Sequence, residues 1–297
     1  MMSSRPRATP AGTKTSLQST QKLKPFPRFV ELGGGCPPVV RLGLATRGNT
    51  QLAAEDVAHA VERGVNYLNW CGYDDGIAKA LRGKLIRRKR VAVAMQLDSR
   101  DACSAATELE EALRLLGTDR IDVVTFYYVE SKSEWKRIAS HDGALQVLEA
   151  EKQKGRVGLV GLTTHQRKLA AQCAEEKKLD LLMVRYNAAH RGAEQDVFPV
   201  TERVGTPVVV YTAQRWGALT RPTRDDPPEF TPPAATDWYR FALANPAVSV
   251  VLMAPNGRQE LEEDLKLLDD WRAPTPAEFE AMAKHGLRVR KNAGRFP

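Results

Sequence analysis

The stretch Ala102-Cys-Ser-Ala-Ala-Thr-Glu-Leu-Glu-Glu-Ala-Leu-Arg-Leu-Leu116, followed after a short connection by Val123-Val-Thr-Phe-Tyr127, decides the fold. Ala105, Leu109, Ala112, Leu113 and Leu116 recur at three- and four-residue intervals, the period of a helix that buries one face. The β-branched run after it is strand-sized, so the pair is one turn of a repeating helix-and-strand unit. The same alternation extends outward in both directions. Strands are predicted over Arg41–Thr46, Tyr67–Cys71, Val91–Gln96, Val123–Tyr127, Val157–Thr163, Leu181–Tyr186, Pro207–Thr212 and Ser249–Ala254. Helices are predicted over Ala53–Arg63, Ala102–Leu116, Ala144–Lys154, Arg167–Glu176, Val197–Val204, Thr236–Ala244 and Gln259–Asp270. Eight strands with intervening helices in about 250 residues close into a (β/α)8 TIM barrel more simply than they form an open sheet. Phe29–Val40, with Gly33, Gly34 and Gly35 at its centre, reads as an N-terminal β-hairpin ahead of the first barrel strand. Its glycines have neither the spacing nor the Lys-Ser/Thr of a phosphate loop.

Residues 1–28 are rich in Ser, Thr, Lys, Arg and Pro and poor in bulky apolar residues, so they read as a disordered basic tail ahead of a single barrel domain over 29–297. The same composition suits an organellar transit peptide, although the segment has no amphipathic apolar stripe. The net charge of +8 is concentrated at the two ends. Six basic residues and no acid fall in the first 30 positions, and five basic residues and no acid fall in 281–297; the remainder holds 33 basic against 36 acidic residues. A near-neutral body argues against a nucleic-acid partner, which would require a basic face on the folded part. No apolar run reaches the 18 to 20 residues of a spanning helix, so no membrane partner is expected. The four cysteines, Cys36, Cys71, Cys103 and Cys173, lack zinc-ligand or disulfide-framework spacing; no metal site is expected, and a reducing, cytoplasmic setting is.

In such barrels the ligand site forms where the strands end, because the following loops converge over one pocket. Those ends present Asn69, Cys71 and Tyr73, then Gln96 and Asp98, then Tyr127, Tyr128 and Glu130. Thr163, Thr164 and His165 follow, then Arg185, Asn187, His190 and Arg191, and finally Tyr211, Gln214, Arg215 and Trp216. Arginines, histidines and aromatic rings with few acids suit a small-molecule ligand that is anionic or polarised, with Arg185, His190, Arg215 and Trp216 as candidate substrate contacts. The alternative is that these long side chains only cover the rim, with their charges met by loop acids such as Glu194 and Asp225.

The segments Arg41-Leu-Gly-Leu-Ala-Thr46, Gly64-Val-Asn-Tyr-Leu-Asn69, Leu116-Gly-Thr-Asp-Arg-Ile-Asp122, Gly155-Arg-Val-Gly-Leu-Val-Gly161, Arg185-Tyr-Asn187, Tyr211-Thr-Ala213 and Leu261-Glu-Glu-Asp264 together resemble, in order and spacing, the aldo-keto reductases. The resemblance implies a barrel capped below by a hairpin, and NADP or NAD as hydride carrier. It also implies a catalytic Tyr supported by a Lys and an Asp, and a His that orients the carbonyl. Here Tyr73 stands near the Tyr position, one residue closer to the preceding strand than the family pattern. Asn69 stands at the Asp position, Gln96 at the Lys position and Tyr127 at the His position. A phenol has an ordinary pKa near 10, and neutral Asn and Gln supply no cation to lower it, so the proton relay of this divergent site is expected to be weak. For the dinucleotide, the resemblance places Thr163 and Thr164 at the carboxamide, Tyr211 against the nicotinamide ring and Arg258 at a phosphate, while Met183 replaces a Gln. The start of the helix after Gly257 offers unpaired amides to an anion.

Two function classes follow. One is an oxidoreductase of aldo-keto reductase type, with Tyr73 or Tyr127 as proton donor. The other is a barrel that has lost redox chemistry and serves as a binding or regulatory module, or transfers protons without a cofactor through His165 or His190 with Glu130. A reactive Cys71 thiol is a lesser reading.

Overall fold

The computed structural model describes residues 26–46 and 52–292. A two-stranded antiparallel hairpin, β1 (Phe29–Val30) with β2 (Val39–Val40), precedes eight parallel strands that close on themselves. These are β3 (Leu42–Ala45), β4 (Tyr67–Trp70), β5 (Ala92–Leu97), β6 (Ile121–Phe126), β7 (Val157–Thr164), β8 (Leu181–Arg185), β9 (Val208–Tyr211) and β10 (Val248–Met253), in that order around the barrel, with β10 returning to β3. Each differs from the sequence expectation by at most two residues at an end. The helices are α1 (Ala54–Glu62), α2 (Gly76–Arg82), α3 (Ala102–Leu116), α4 (Lys132–Ile138), α5 (Ala144–Gln153), α6 (Arg167–Glu175), α7 (Ala193–Asp196), α8 (Phe198–Val204), α9 (Ala235–Leu243), α10 (Arg258–Asp269) and α11 (Pro276–Asn292).

The deciding stretch folds as its pattern dictates. Asp101 caps α3 by accepting the Ser104 amide at 3.0 Å, and Ala105, Leu109, Ala112, Leu113 and Leu116 are its buried face. Alternation along the strands makes two cores. Val93, Met95, Val124 and Val160 pack outward against the helices, whereas Tyr67, Ala92, Ala94, Val123, Leu159 and Met183 fill the barrel interior. The hairpin closes the lower end. Gly34, at φ +60°, lies so close to the barrel that a Cβ there would come within 2.5 Å of Leu159 Cδ2, and Arg120 donates to its carbonyl oxygen.

Helices α2, α4, α7 and α11 are absent from the sequence expectation. The first two are seven residues long and α7 is four, too short for a 3.6-residue period to repeat, and α2 and α4 owe their starts to Asp75 and Ser131 caps. In α11, the buried Met282, His285, Gly286 and Val289 are diluted by charged residues. Residues 26–28, at the end of the expected tail, contact the barrel. Phe26 packs against Trp271 at 5.6 Å between ring centroids, Arg28 donates to the Leu268 carbonyl at 3.2 Å, and Arg41 donates to the Pro27 carbonyl at 3.1 Å. The rest of the expected tail, residues 1–25, lies outside the described residues. Among the described residues no helix is long and apolar enough to cross a membrane.

Candidate active site

A groove of about 1090 Å³ opens at the C-terminal ends of the strands. Its first wall carries Asn69, Tyr73, Gln96 and Tyr127, so residues drawn from three separate stretches of sequence meet on one surface. Asn69 is 2% exposed on β4 and donates from Nδ2 to Cys71 Sγ at 3.6 Å. Gln96 on β5 reaches across the mouth to Met183 Sδ at 3.6 Å. Tyr73 is 57% exposed, on a loop fixed by Trp70 Nε1 donating to the Tyr73 carbonyl at 2.6 Å. This wall is polar but carries no cationic side chain.

The cofactor candidates separate. Tyr211 lines the groove, nearly buried, with burial and the neighbouring Tyr128 pushing its phenol well above the ordinary range while Arg185 pulls the other way. Thr163 and Thr164 are buried behind the groove lining: the Thr163 hydroxyl donates to Thr125 Oγ1 at 3.3 Å, and Thr164 Oγ1 accepts the Gln166 amide at 2.9 Å. Arg258 stands on α10 with Nε 2.8 Å from Glu262 and Nη1 3.3 Å from Asp56, outside the groove. At the start of α10, Glu260 in the first turn accepts the Asn256 amide at 2.7 Å, ahead of the N-cap Gly257.

Of the substrate candidates, Trp216 lines the groove at its rim, 52% exposed. Arg185 pairs with Tyr211 across β8 and β9, and its charge and that of Arg215 are felt at His190; none of the three lines the groove. Two of the loop acids have contacts of their own. Glu194 takes both Arg191, at 2.8 and 2.9 Å, and the Tyr186 hydroxyl, at 2.6 Å. Asp225 faces Arg224, Lys291 and Asn292. Arg191 Cζ also lies 5.7 and 5.6 Å from the ring centroids of Phe241 and Phe279, which stack on each other, so its contacts are structural.

Between the groove and the arginines stands an aromatic partition. Tyr128 adopts φ +40°, stacks on His165 at 4.5 Å and 14°, and meets Tyr211 edge-on at 6.1 Å. Glu130 Oε1 lies 3.1 Å from His165 Nδ1 and accepts the His165 amide at 2.9 Å, while its other oxygen accepts from Gln166 at 3.0 Å. Burial lowers the His165 pKa, with Arg185 adding to that and Glu130 opposing it. The ring is therefore held with Nδ1 toward the carboxylate and its neutral form favoured.

The opposite wall contains residues whose site role the sequence reading missed. Glu260, Glu263 and Asp264 face the groove from α10, joined by Gln214 and Tyr239. Asp264 is buried and accepts from Gln214 Nε2 at 3.1 Å and from the Tyr239 hydroxyl at 2.9 Å. Burial pushes its carboxyl up to about 7, the two hydrogen bonds oppose this, and Glu260 and Glu263 reinforce it. The signal was present in Leu261-Glu-Glu-Asp264: positions 260, 263 and 264 stand at i, i+3 and i+4, one face of a helix.

The Aldo/keto reductase family model matches residues 40–250. Among solved structures, a holo-form aldo-keto reductase from Bacillus halodurans superposes with a TM-score of 0.70 at 18% identity, covering 87% of this chain and 96% of that one. A glycerol dehydrogenase from Gluconobacter oxydans gives a TM-score of 0.70 at 18% identity, over 91% and 99%. An aldo/keto reductase from Brucella melitensis gives 0.66 at 17% identity, over 86% and 97%. At these identities the structural likeness concerns the barrel itself.

Proposed function

The chain belongs to the aldo/keto reductase family, and from that premise we propose that it is an oxidoreductase moving a hydride between a nicotinamide dinucleotide and a small carbonyl or alcohol ligand. The observation that carries this reading is the convergence of Asn69, Tyr73, Gln96, Tyr127 and Tyr211 on one groove at the strand ends. The groove suits an extended, largely flat ligand: Tyr211 offers a buried ring face on its floor and Trp216 a second ring at its rim. When bound, the dinucleotide would supply or accept the hydride. Tyr211 and Trp216 would hold it by stacking, and Gln214 and Gln259 by their amides. With Arg258 turned to Asp56 and Glu262, and with Glu260, Glu263 and Asp264 on the α10 wall, that wall disfavours an additional phosphate, so NAD fits it better than NADP.

Asn69 and Gln96 position a ligand oxygen by hydrogen bonding, and Tyr127 or Tyr73 donates the proton. Neither amide stabilises a tyrosinate, which makes the proton step slow. The ligand is read as anionic because Arg185 pairs with Tyr211, and its charge and that of Arg215 are felt at His190. The test is a fluorescence titration with NADH and NADPH, followed by reduction of pyruvate and of a neutral aldehyde. NADH is expected to bind more tightly than NADPH, and conversion is expected to rise when Asn69, Gln96 and Tyr127 are replaced together by Asp, Lys and His. No binding of either dinucleotide would overturn the reading. That outcome would leave the second one, cofactor-free proton transfer, favoured by the 3.1 Å His165–Glu130 contact and checked by proton exchange at carbon beside a carbonyl in wild type and His165→Gln.

A further inference from the structure

Tyr127 and Tyr128 are consecutive in the chain, yet both line the groove. Successive side chains of a strand point to opposite faces, so two neighbours share one surface only where the backbone turns. The turn falls at Tyr128, whose φ is +40°, directly after β6 has ended at Phe126. It brings the two rings to 4.3 Å between centroids at 48°. A left-handed φ is unfavourable for a tyrosine and persists where the surrounding structure dictates it. Here the peptide between the two residues is held by a side chain, because Arg100 Nη2 donates to the Tyr127 carbonyl at 2.5 Å.

Arg100 stands in the loop after β5, the strand that carries Gln96 to the same wall. Its Nη1 donates to the Leu97 carbonyl at 3.3 Å and to the Asp98 carbonyl at 2.6 Å, and its Nε donates to Glu134 Oε1 at 2.7 Å. One planar guanidinium therefore ties the end of β5, the end of β6 and helix α4 together. Both ends of the side chain are anchored. The Arg100 carbonyl accepts the Ala144 amide at 3.1 Å, and the next residue, Asp101, is bridged to Gly143. Glu134 uses its other oxygen to accept the Glu130 amide at 2.9 Å, and Glu130 in turn holds the His165 ring on which Tyr128 stacks. From α3, Glu108 accepts the Asp98 and Ser99 amides at 2.8 and 2.9 Å. Tyr128 is thus fixed on two sides, through the carbonyl before it and through its ring.

Arg100 does not line the groove, so its influence there runs through the backbone that it holds. We propose that Arg100 is the positioning residue of the first wall: by fixing the Tyr127 carbonyl it sets the turn that delivers Tyr127 and Tyr128 together to a ligand. The chemical consequence rests on the oxidoreductase reading, in which Tyr127 is a proton donor; the placement of the two rings does not. A donor has to come within about 2.6–3.2 Å of the oxygen that it protonates. Displacement of the reacting group by about 1 Å costs on the order of a hundredfold in rate. Tyr211, Trp216, Gln214 and Gln259, the contacts assigned to the dinucleotide, receive no bond from Arg100, so its loss should fall on turnover rather than on dinucleotide binding.

The experiment labels the full chain with 3-fluorotyrosine and follows its fluorine NMR spectrum, with Tyr127→Phe and Tyr128→Phe used to assign two resonances. In Arg100→Ala those two are expected to move while the buried Tyr67 and Tyr186 stay in place, and guanidinium ion, added far below denaturing concentration, is expected to return them. Arg100→Lys keeps the charge but cannot reach three carbonyls at once; it is expected to shift the same two resonances by less, and serves if the alanine variant fails to fold. With NADH and a neutral aldehyde, Arg100→Ala is expected to lower kcat roughly tenfold or more with KM for NADH within about twofold of wild type. Resonances of Tyr127 and Tyr128 unmoved in both variants, all tyrosines moved alike, or kcat unchanged from that of an active wild type would overturn the proposal. A wild type without turnover would count against the oxidoreductase reading instead, and the fluorine spectrum, recorded without dinucleotide, would still decide this one.

Discussion

Asp264 is a carboxyl whose usual charge the fold resists, and its effect on stability can be given a sign. Folding raises its pKa from 3.8 to about 7, so the folded chain holds this proton more tightly than the unfolded chain does. Its contribution is therefore most favourable below about pH 4, declines as pH rises from about 4 to 7, and is level above. Asp264→Asn keeps an acceptor for the Tyr239 hydroxyl and removes the titration. The variant is expected to gain melting temperature relative to wild type at pH 8 and to lose that advantage at pH 4.5. Parallel melting curves against pH for the two proteins would show that the buried carboxyl carries no such penalty. The same residue shows what a linear reading registers: the acid was visible as part of a familiar segment, but its pKa depends on Tyr239 and Gln214, 25 and 50 positions away.

At the scale of elements, the Pro-rich segment after β9 is tied to the last helix. Asp226 binds His285 Nδ1 at 3.0 Å, and it bonds to the Thr223 amide and to Arg288. Burial works against its charge, but these donors hold the carboxyl far below the ordinary range. His285 is fully buried and its second nitrogen bonds to the Leu219 carbonyl at 3.1 Å. Phe230 packs on the same imidazole at 4.8 Å, with the Arg288 guanidinium 5.0 Å from its ring. Removing one member of a buried charged group leaves the others unmet, at a cost of about 3–5 kcal/mol. Asp226→Ala is accordingly expected to lower stability by about that amount and to speed proteolysis within 221–233. Cleavage at the wild-type rate would mean that the segment is held by other contacts. Because Arg221 and Thr220 line the groove, loosening this strap should also change its shape.

For the whole molecule, closure of the barrel makes the chain's start and its late helices mutually dependent. Phe26 rests on Trp271, and Arg41 at the barrel's lower end donates to the Pro27, Leu243, Val248 and Ser249 carbonyls. Phe26→Ala removes a partly buried ring, about 1–2 kcal/mol, which for a chain of this size is a fall of roughly 2–8 °C in melting temperature. Deleting residues 1–25 is expected to change it little, and the reverse ranking would relocate the boundary of the folded part. The architecture was legible in the sequence because side-chain period is a local property. The 3.6-residue spacing of Ala105 to Leu116 and the eight short β-branched runs fix which faces must be buried, and a closed barrel buries them all. Strand ends were legible for the same reason, and with them the groove wall of Asn69, Tyr73, Gln96 and Tyr127. Only the tertiary structure decided which polar side chains are available there. Thr163, Thr164 and Arg258 are engaged by Thr125, Gln166, Glu262 and Asp56, and Asp264 acquires its proton affinity from burial, which its hydrogen bonds to Tyr239 and Gln214 oppose. The turn after β8 and the loop after β9 are fixed to each other by the buried Asn187, and α11 to that turn by Gly286. Hydrogen bonds and electrostatic fields act through space between residues tens to hundreds of positions apart, and no pattern along the chain records those distances.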